Sequence, residues 1–379
     1  MDATKDKTVS DLGQLKRFER LRIAIVLGTR PEIVKMSPIV RECQRLSLDC
    51  LILHTGQHYS YNMDKIFFEQ LGLPEVTANL DVGSGSHGEQ TGKMLIGLDR
   101  EFSKDMPDVV LVEGDTNTVI AGALAAVKLG IKVGHVEAGL RSYDRGMPEE
   151  INRVLADHCS DYLFAPTEKA RQILMYEGIS DENIEVTGNT VVDALFQNLT
   201  VAEKCSSVLA NLGLKRMSYF LTTVHRQENV DDEIRLRGII NGLKMIHEKY
   251  GQSIIYPVHP RTRKALENFG LNTEGLRLID PQDYFNFLQL ESNAKLVLTD
   301  SGGVQEETCV LHVPCVTLRD NTERPETLDV GSNVLAGTNP EAILENVKLM
   351  LGRSHDWLNP FGDGKAAPRI IDALRRKLE

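Results

Sequence analysis

The sequence predicts an α/β fold built from two doubly wound units, each with a parallel sheet covered by helices. Short apolar runs alternate with longer helical patterns along most of the chain, and this alternation indicates β-α-β units. The runs are apolar at nearly every position, which is typical of strands that are buried on both faces. The length of 379 residues is sufficient for two domains.

The first unit is predicted over residues 21–195, after a polar N-terminal tail over 1–20. Its strands are the runs rich in Val, Ile and Leu, and a helix is predicted over 118–130, between the third and fourth of them. The predicted strands are 22–28, 48–56, 108–115, 132–139, 162–167 and 184–189. The alternation of these strands with helices predicts one parallel sheet.

The pattern starts again after a predicted helix over 190–213, and the second unit is predicted over 196–364. Its predicted strands are 219–225, 253–260, 276–280, 296–300 and 314–320. The last helix is amphipathic, and the segment 365–379 is expected to pack back on the first unit. Ligands of such sheets bind beyond the carboxyl ends of the strands, so we expect a site in a cleft between the units.

Composition excludes several classes of function. The 43 basic and 54 acidic residues give a net charge of −11, and no basic block stands out, which argues against nucleic acid or an anionic membrane as partner. The six cysteines form no Cys-x-x-Cys pair, so neither a zinc site nor a disulfide framework is predicted. No secretory signal is visible and no apolar run reaches the roughly 18 residues of a membrane span, so a cytoplasmic location is predicted.

Polar residues follow the first predicted strand in the stretch GTRPEIVKMSP. Arg30 and Lys35 add positive charge there, which suits an anionic ligand, although a capped helix with surface charges explains the stretch equally well. The stretch is not the G-x-G-x-x-G dinucleotide fingerprint, so it does not favour NAD.

Three carboxylates are predicted near neighbouring strand ends of the first unit. Asp115 and Glu137 follow the third and fourth strands, and Glu149 lies on the next helix, four residues before Arg153. Singly, Asp115 fits a helix cap and Glu149 a surface ion pair with Arg153. Carboxylates that lie together raise one another's pKa, which suits acid/base chemistry.

The second unit carries the signature of a phosphate site. Ser301, Gly302 and Gly303 open a predicted helix, so free backbone N–H groups and the positive end of the helix dipole would face an anion. Glu307 lies about one turn further on, where it could bind ribose hydroxyls. Arg324 adds positive charge nearby. A helix that needs glycine for close packing is the competing explanation.

Two histidines follow other strands of this unit. His225 lies in VHRQEN, where it could titrate near neutrality or donate a hydrogen bond to phosphate. His259 lies in YPVHPRTRK beside two arginines. Taken alone, His225 fits a structural histidine equally well.

These motifs together resemble the non-hydrolysing UDP-N-acetylglucosamine 2-epimerases, from about Ile23 to the last helix. The motifs are GTRPEIVKMSP, TGQH, GDTNTVIAGALAA, HVEAGLRS, PEEINR, HRQEN, PVHP, DSGGVQEE and TERPE. The stretches 55–63 and 79–92 resemble the archaeal branch. The resemblance implies a GT-B-type architecture, a homodimer, a UDP-sugar substrate, and neither NAD nor a metal as cofactor.

The resemblance also implies roles for individual residues. The uracil would lie near Gln282 and Phe287, the diphosphate at Ser301, Gly302 and Gly303, and the ribose at Glu307. Arg30 and His225 would reach the phosphates and sugar from either side, with His225 also among the catalytic residues, and His259 would be a further substrate-binding residue. The acid/base carboxylates would be Asp115, Glu137 and Glu149, supported by Lys35, Arg153 and Arg324. A second, activating substrate site in some bacterial members corresponds to Gln57, His58 and Arg226, although the YSYNM that follows TGQH here leaves such activation open.

The implied reaction inverts C2 of UDP-N-acetylglucosamine. A base removes the C2 proton while UDP leaves from C1, and the resulting 2-acetamidoglucal adds UDP again with a proton delivered to the opposite face. The alternatives are an epimerase for a UDP-diacetamido sugar, a GT-B glycosyltransferase, a hydrolysing epimerase and a catalytically silent UDP-sugar sensor. The PEEINR and HVEAGLR carboxylates argue against the transferase and the sensor, and TGQH with Lys35 favours the plain N-acetyl sugar.

Overall fold

The computed structural model describes residues 21–56 and 61–378. The chain forms two compact units. The first unit consists of the described residues up to Ala194 together with those from Gly362 onward. The second unit is Leu195–Phe361. The predicted tail over 1–20 lies outside the described residues.

The first unit contains a seven-stranded sheet in the order β3-β2-β1-β4-β5-β6-β7. All its neighbouring strands pair in parallel, so that Ile23 of β1 lies beside Cys50 of β2 and Val109 of β4. The strands are β1 (Arg22–Leu27), β2 (Asp49–His54), β3 (Ala78–Asn79), β4 (Val109–Glu113), β5 (Lys132–Val136), β6 (Tyr162–Ala165) and β7 (Ile184–Val186). The sequence did not predict β3, since two residues carry no periodicity.

Helices connect these strands, and several begin at a Ser or Thr whose side chain accepts a backbone N–H of the first turn. Ser86, Thr116 and Thr167 cap in this way. The helices are α1 (Arg30–Arg45), α2 (Tyr61–Gln70), α3 (His87–Lys104), α4 (Asn117–Lys128), α5 (Pro148–Cys159), α6 (Glu168–Tyr176) and α7 (Thr190–Cys205), with a 3-10 turn at Asp181–Asn183.

The second unit contains a six-stranded parallel sheet in the order β10-β9-β8-β11-β12-β13. Its strands are β8 (Tyr219–Thr223), β9 (Ser253–Pro257), β10 (Leu276–Ile279), β11 (Leu296–Thr299), β12 (Cys315–Thr317) and β13 (Asn333–Leu335). Its helices are α8 (Val208–Asn211), α9 (Gln227–Val230), α10 (Glu233–Tyr250), α11 (Pro260–Asn268), α12 (Tyr284–Ser292), α13 (Gly302–Val310), α14 (Pro325–Asp329) and α15 (Pro340–Leu351). The strand β13 was not predicted.

The single helix predicted over 190–213 is wrong. The structure divides it into α7 and α8, because Ser206 and Ser207 interrupt the helical hydrogen bonding. The Ser206 hydroxyl lies 2.6 Å from Asn286 Oδ1 and accepts the backbone N–H of Val208 at 3.3 Å. Short hydroxyl side chains compete with the helix for backbone groups in this way.

The last helix, α16 (Ala366–Leu378), belongs to the first unit. The buried Asp193 carboxylate accepts the backbone N–H groups of Ala366 and Ala367 at 3.1 and 3.0 Å, at the start of α16. A carboxylate at this position satisfies orphan donors of the first turn and complements the helix dipole. The chain therefore returns from the second unit to pack on the first, with α16 against α1.

Both sheets have a switch point where the strand order reverses. It lies between β1 and β4 in the first sheet and between β8 and β11 in the second. Crevices at the carboxyl ends of such strand pairs are the usual ligand positions in open parallel sheets. No helix within the described residues is long and apolar enough to cross a membrane.

Candidate functional site

The loop after β1 approaches its neighbours so closely that only glycine fits at its start. A Cβ atom on Gly28 would lie 2.0 Å from Thr55 Oγ1 and 2.5 Å from Thr118 Oγ1. These two hydroxyls lie 2.9 Å apart and join the ends of β2 and α4. Gly28 is therefore required by close packing at the switch point.

The start of α1 is fixed by a buried carboxylate that the sequence analysis did not single out. Glu32 accepts hydrogen bonds at 2.7 Å from the backbone N–H groups of Gly28 and Thr29. It also accepts the Thr116 hydroxyl at 2.5 Å, which ties the loop after β4 to the loop after β1. In the sequence, the capping-box pattern T-x-x-E indicates this role of Glu32.

One lysine connects two carboxyl groups beside this loop. Lys35 Nζ forms an ion pair with Glu137 and lies 3.1 Å from Glu113 Oε1. The two carboxyl side chains are only 2% and 4% exposed, at Glu113 and Glu137 respectively. Burial raises the pKa of Glu113 well above its ordinary value, Lys35 lowers it, and the charge of Glu137 raises it further. Two acids and one cation thus occupy a site nearly closed to water.

Glu137 has a strained backbone. Its φ angle is +68°, in the left-handed region that β-branched and long side chains seldom adopt. Such a conformation costs about 1–3 kcal/mol and is typically found at functional sites. Asn189 Nδ2 donates to Glu137 Oε2 at 3.3 Å, so the carboxylate is held from two sides.

Asp115 and Arg153 also meet at this end of the sheet. Arg153 forms an ion pair with Asp115 and donates to Glu150 Oε2 at 2.8 Å. The ion pair that the spacing suggested between Glu149 and Arg153 is therefore replaced by one with Glu150, three residues away. Glu150 also accepts backbone N–H groups of the loop 142–143, so although burial raises its pKa, these bonds and Arg153 hold the pKa below the ordinary value.

Glu149 differs from its neighbour. It is half-buried, and its side chain has no hydrogen-bond or ion-pair partner among residues 21–56 and 61–378. Arg30 begins α1 at the same end of the sheet, half-buried, with its guanidinium 5.9 Å from the centre of the Phe67 ring. Asp115, Glu137, Arg30, Lys35 and Arg153 thus lie at the carboxyl end of the first sheet, and Glu149 lies on α5, four residues before Arg153.

In the second unit, α13 begins directly after β11 with Ser301 as its cap. A Cβ atom on Gly302 would lie 2.3 Å from Glu323 Oε1. Glu323 is buried and receives Arg226 at 3.1 Å and Arg319 at 2.8 Å. Gly302 thus lets a buried ion network pack against the helix start, while Gly303 beside it is half-exposed.

His225 is oriented by a buried carboxylate. Asp300 accepts the backbone N–H groups of His225 and Arg226 and the Asn229 side chain, each at 3.0–3.1 Å. His225 Nδ1 lies 3.0 Å from Asp300 Oδ1, which directs Nε2 of the half-exposed ring away from this contact. Burial raises the pKa of Asp300, but His225, Arg226 and Asn229 together hold it below the ordinary value.

The remaining candidates of this unit are placed as follows. His259 is an exposed cap of α11, and burial together with His225 and Arg261 lowers its pKa. Gln282 donates a hydrogen bond to the carbonyl of Asp280 at 2.8 Å. Phe287 is a half-buried residue of α12 whose side chain packs against the core. Glu307 is half-buried on α13.

Arg324 and Arg226 are held in ion pairs. Arg324 is buried with its Nε 2.8 Å from Glu306 Oε1, so it supports the start of α14 from inside the unit. Arg226 pairs with Glu323. Gln57 and His58, which the resemblance joins with Arg226, lie outside the described residues. No group of three His, Cys, Asp or Glu side chains in the described part of the chain is arranged to hold a metal ion.

The chain is similar to known proteins over most of its length. The family model of the UDP-N-acetylglucosamine 2-epimerases matches residues 41–375. The chain belongs to this family. A UDP-N-acetylglucosamine 2-epimerase from Methanocaldococcus jannaschii is 56% identical over 361 residues, which cover 93% of this chain and 99% of the relative.

Two further relatives bear on substrate and fold. A UDP-2,3-diacetamido-2,3-dideoxy-D-glucuronate 2-epimerase from Pseudomonas aeruginosa is 41% identical and covers 94% of this chain and 100% of its own. A crystal structure of the M. jannaschii UDP-GlcNAc 2-epimerase in complex with UDP-GlcNAc and UDP is 56% identical, has a TM-score of 0.88 and covers 94% of this chain and 99% of its own. The predicted family, its archaeal branch and the fold class of two parallel-sheet α/β units are thereby confirmed.

Sequence reasoning missed three further residues in or next to the UDP-N-acetylglucosamine 2-epimerase motifs of this chain. Glu113, Asp300 and Glu323 are buried carboxyl groups beside the predicted site residues. Glu113 was taken as part of the strand DVVLVEGD, and its signal was one acid at the end of an otherwise apolar run. Asp300 and Glu323 carried no signal of their own, because their importance depends on contacts between distant segments.

Proposed function

We propose that this chain is a non-hydrolysing epimerase that interconverts UDP-N-acetylglucosamine and UDP-N-acetylmannosamine at C2. The observation that carries the proposal is the set of carboxylates and cations at the carboxyl end of the first sheet, in a chain of this family. A C2 proton next to the anomeric carbon is a weak acid, so its removal needs a positioned base. Lys35 and the strained backbone hold Glu137 in a fixed position for this task.

The proposed reaction is an anti elimination followed by addition. Glu137 takes the C2 proton, the C2–H electron pair forms the C1=C2 double bond of 2-acetamidoglucal, and the C1–O bond breaks to release UDP. UDP then adds again at C1 while a proton is delivered to the other face of C2. The second face needs a second acid, and Asp115 and Glu149 are the two candidates.

The leaving diphosphate is proposed to bind at the start of α13. The backbone N–H groups of Gly302 and Gly303 lie in the first helical turn, where they have no intrahelical acceptor. The helix dipole and these donors stabilise negative charge that develops as the C1–O bond breaks. His225, oriented by Asp300, is proposed to donate Nε2–H to the same phosphates.

The remaining candidate residues are proposed as substrate contacts within their own units. Arg30 and His259 are proposed as further phosphate and sugar contacts, Gln282 and Phe287 as uracil contacts, and Glu307 as the ribose acceptor. Lys35, Arg153 and Arg324 are proposed to act through the carboxylates that they hold. A homodimer in the cytoplasm and catalysis without NAD or metal complete the proposal, and activation by substrate at Gln57, His58 and Arg226 stays open.

Product analysis tests this proposal. The purified chain is incubated with UDP-N-acetylglucosamine, without added NAD or metal, and the sugar products are followed by proton NMR. We expect the anomeric signal of UDP-N-acetylmannosamine to grow until equilibrium is reached. Free N-acetylmannosamine with UDP would show the hydrolysing reaction instead, and an unchanged substrate would reject the proposal.

The second candidate function is epimerisation of a UDP-diacetamido uronic acid, which the Pseudomonas aeruginosa relative is named for. The same incubation with that sugar nucleotide as sole substrate separates the two. We expect kcat/KM to be higher for UDP-N-acetylglucosamine than for the UDP-diacetamido uronic acid, by a factor of about ten or more. The loss of one polar contact with the substrate would cause a difference of this order.

A further inference from the structure

Glu113 and Glu137 form a carboxyl pair whose role goes beyond the residues assigned so far. Each side chain is almost completely buried, and Lys35 Nζ lies within ion-pair distance of both. An ionised carboxylate has only acceptor oxygens, so one of these carboxyl groups can donate a hydrogen bond to the other only if it carries a proton. Charge and solvation decide whether the pair holds such a proton.

Charge balance favours one proton in the pair. Lys35 contacts both carboxyl groups, and its single positive charge compensates one negative charge. Glu32 lies near enough to raise the pKa of Glu113 further, although it is itself surrounded by donors from Gly28, Thr29 and Thr116. If both carboxyl groups were ionised, one negative charge would be left without a cation in a site nearly closed to water, which is strongly disfavoured.

The proton belongs on Glu113. Glu137 has Lys35 and Asn189 as donors, which favour its ionised form. Glu113 Oε1 is fully buried and accepts no hydrogen bond from the described part of the chain, although Lys35 Nζ lies 3.1 Å from it. The less solvated acid keeps the proton, because desolvation penalises its charged form most.

We propose that Glu113 is a positioning residue that stays protonated and donates a hydrogen bond to Glu137. This inference rests on the proposed function, in which Glu137 is the C2 base. The bond holds the Glu137 carboxylate on its strained backbone and leaves Lys35 with one net negative charge to compensate. Glu113 does not touch the substrate; it keeps Glu137 ionised and oriented.

Two variants at this one position test the inference. Glu113→Gln keeps the shape and the N–H donor of the protonated acid but cannot ionise, whereas Glu113→Leu removes the donor. We expect the Gln variant to retain kcat within a few-fold. We expect the Leu variant to lose on the order of 10–100-fold in kcat, as for other groups that orient a reacting residue, with KM nearly unchanged.

The pH dependence separates positioning from mere packing. In the native chain, kcat should fall as pH rises through the pKa of Glu113, which burial raises well above its ordinary value, because the pair then loses its proton. In Glu113→Gln this step in the pH profile should be absent, because the amide cannot ionise. The same step in the profile of the Gln variant, or equal kcat in the Gln and Leu variants, would overturn the inference.

Infrared spectroscopy tests the proton without any substrate. The spectrum of the native chain minus that of Glu113→Gln at neutral pH should contain the carbonyl band of a protonated carboxylic acid. If the difference shows only carboxylate bands, Glu113 is ionised and the inference is wrong. Because this readout does not depend on turnover, a chain that shows the acid band but no epimerisation would reject the proposed function and leave the protonated Glu113 standing.

Discussion

Individual residues of the first unit have different surroundings, although the sequence shows them only as similar acids. Glu137 is buried against Lys35, Asp115 is partly exposed and paired with Arg153, and Glu149 is half-buried without a partner in the described chain. These differences allow separate roles in one reaction, because an acid's environment sets when it gives or takes a proton.

Amide variants of the three acids test these roles. Glu137→Gln keeps the shape of the side chain and removes the base, so we expect kcat to fall by about 10²–10⁴-fold, the usual contribution of a positioned acid or base. The substrate KM should change only a few-fold. Steady-state kinetics with UDP-N-acetylglucosamine measures both values.

The same assay on Asp115→Asn and Glu149→Gln identifies the second acid. The variant whose kcat falls as much as that of Glu137→Gln identifies the acid that delivers the proton to the opposite face of C2. A Glu137→Gln variant with native kcat would remove Glu137 from the mechanism, and native kcat in Glu149→Gln would remove Glu149.

At the scale of elements, the start of α13 depends on glycine for two distinct reasons. Gly302 makes room for the buried Glu323 carboxylate, which receives Arg226 and Arg319. Gly303 has no atom nearer than 3.9 Å to a Cβ position, so its side of the helix is open. Gly302 is therefore required for close packing, whereas Gly303 leaves the surface of the helix start accessible.

The substitutions Gly302→Ala and Gly303→Ala separate these two reasons. The Cβ atom that Gly302→Ala adds would meet Glu323 at 2.3 Å, so we expect the free energy of unfolding to fall by about 1–3 kcal/mol, as for other overpacked sites. At position 303 alanine fits and favours the helix by up to about 1 kcal/mol. Urea unfolding of both variants measures the difference, and equal stability would contradict the packing argument.

Asp300 joins the loop after β8 to the end of β11 and makes stability depend on pH. The pKa of Asp300 in the folded chain lies below the ordinary value. Its contribution to the free energy of unfolding is therefore complete above the unfolded-state pKa of about 4, and it is lost as pH falls through the lower folded-state pKa. We expect Asp300→Asn to cost about 1–3 kcal/mol near pH 7, as for a lost charged hydrogen-bond partner. The difference from the native chain should shrink as unfolding is measured at lower pH, and a constant difference would contradict the assignment.

Strand-end residues could be predicted from sequence because a parallel sheet places all its carboxyl ends on one edge. Asp115, Glu137 and Lys35 were found in this way, and so was the helix start at Ser301. Glu113 was missed although it is one acid at the end of an apolar run, because its contact with Lys35 joins segments far apart in the chain. The break between α7 and α8 was missed because two serines alone do not reveal that one will bond to Asn286.

At the scale of the whole molecule, the two units repeat one plan with different chemistry. Each sheet reverses its strand order once, between β1 and β4 or between β8 and β11. Acids and a lysine follow the strands at the first switch point, and a helix start with glycines follows the second. In the proposed elimination, the first unit would supply proton transfer and the second would stabilise the leaving anion.

Deuterium incorporation tests this account most directly. The chain is incubated with UDP-N-acetylglucosamine in D₂O and the C2 position of both sugars is followed by NMR. The account predicts deuterium at C2 of UDP-N-acetylmannosamine from the first turnover, deuterium appearing in UDP-N-acetylglucosamine as the reaction reverses, and neither in Glu137→Gln. Epimerisation with the C2 proton fully retained from the substrate would contradict it, because the proton would then never have passed to an exchangeable carboxyl group.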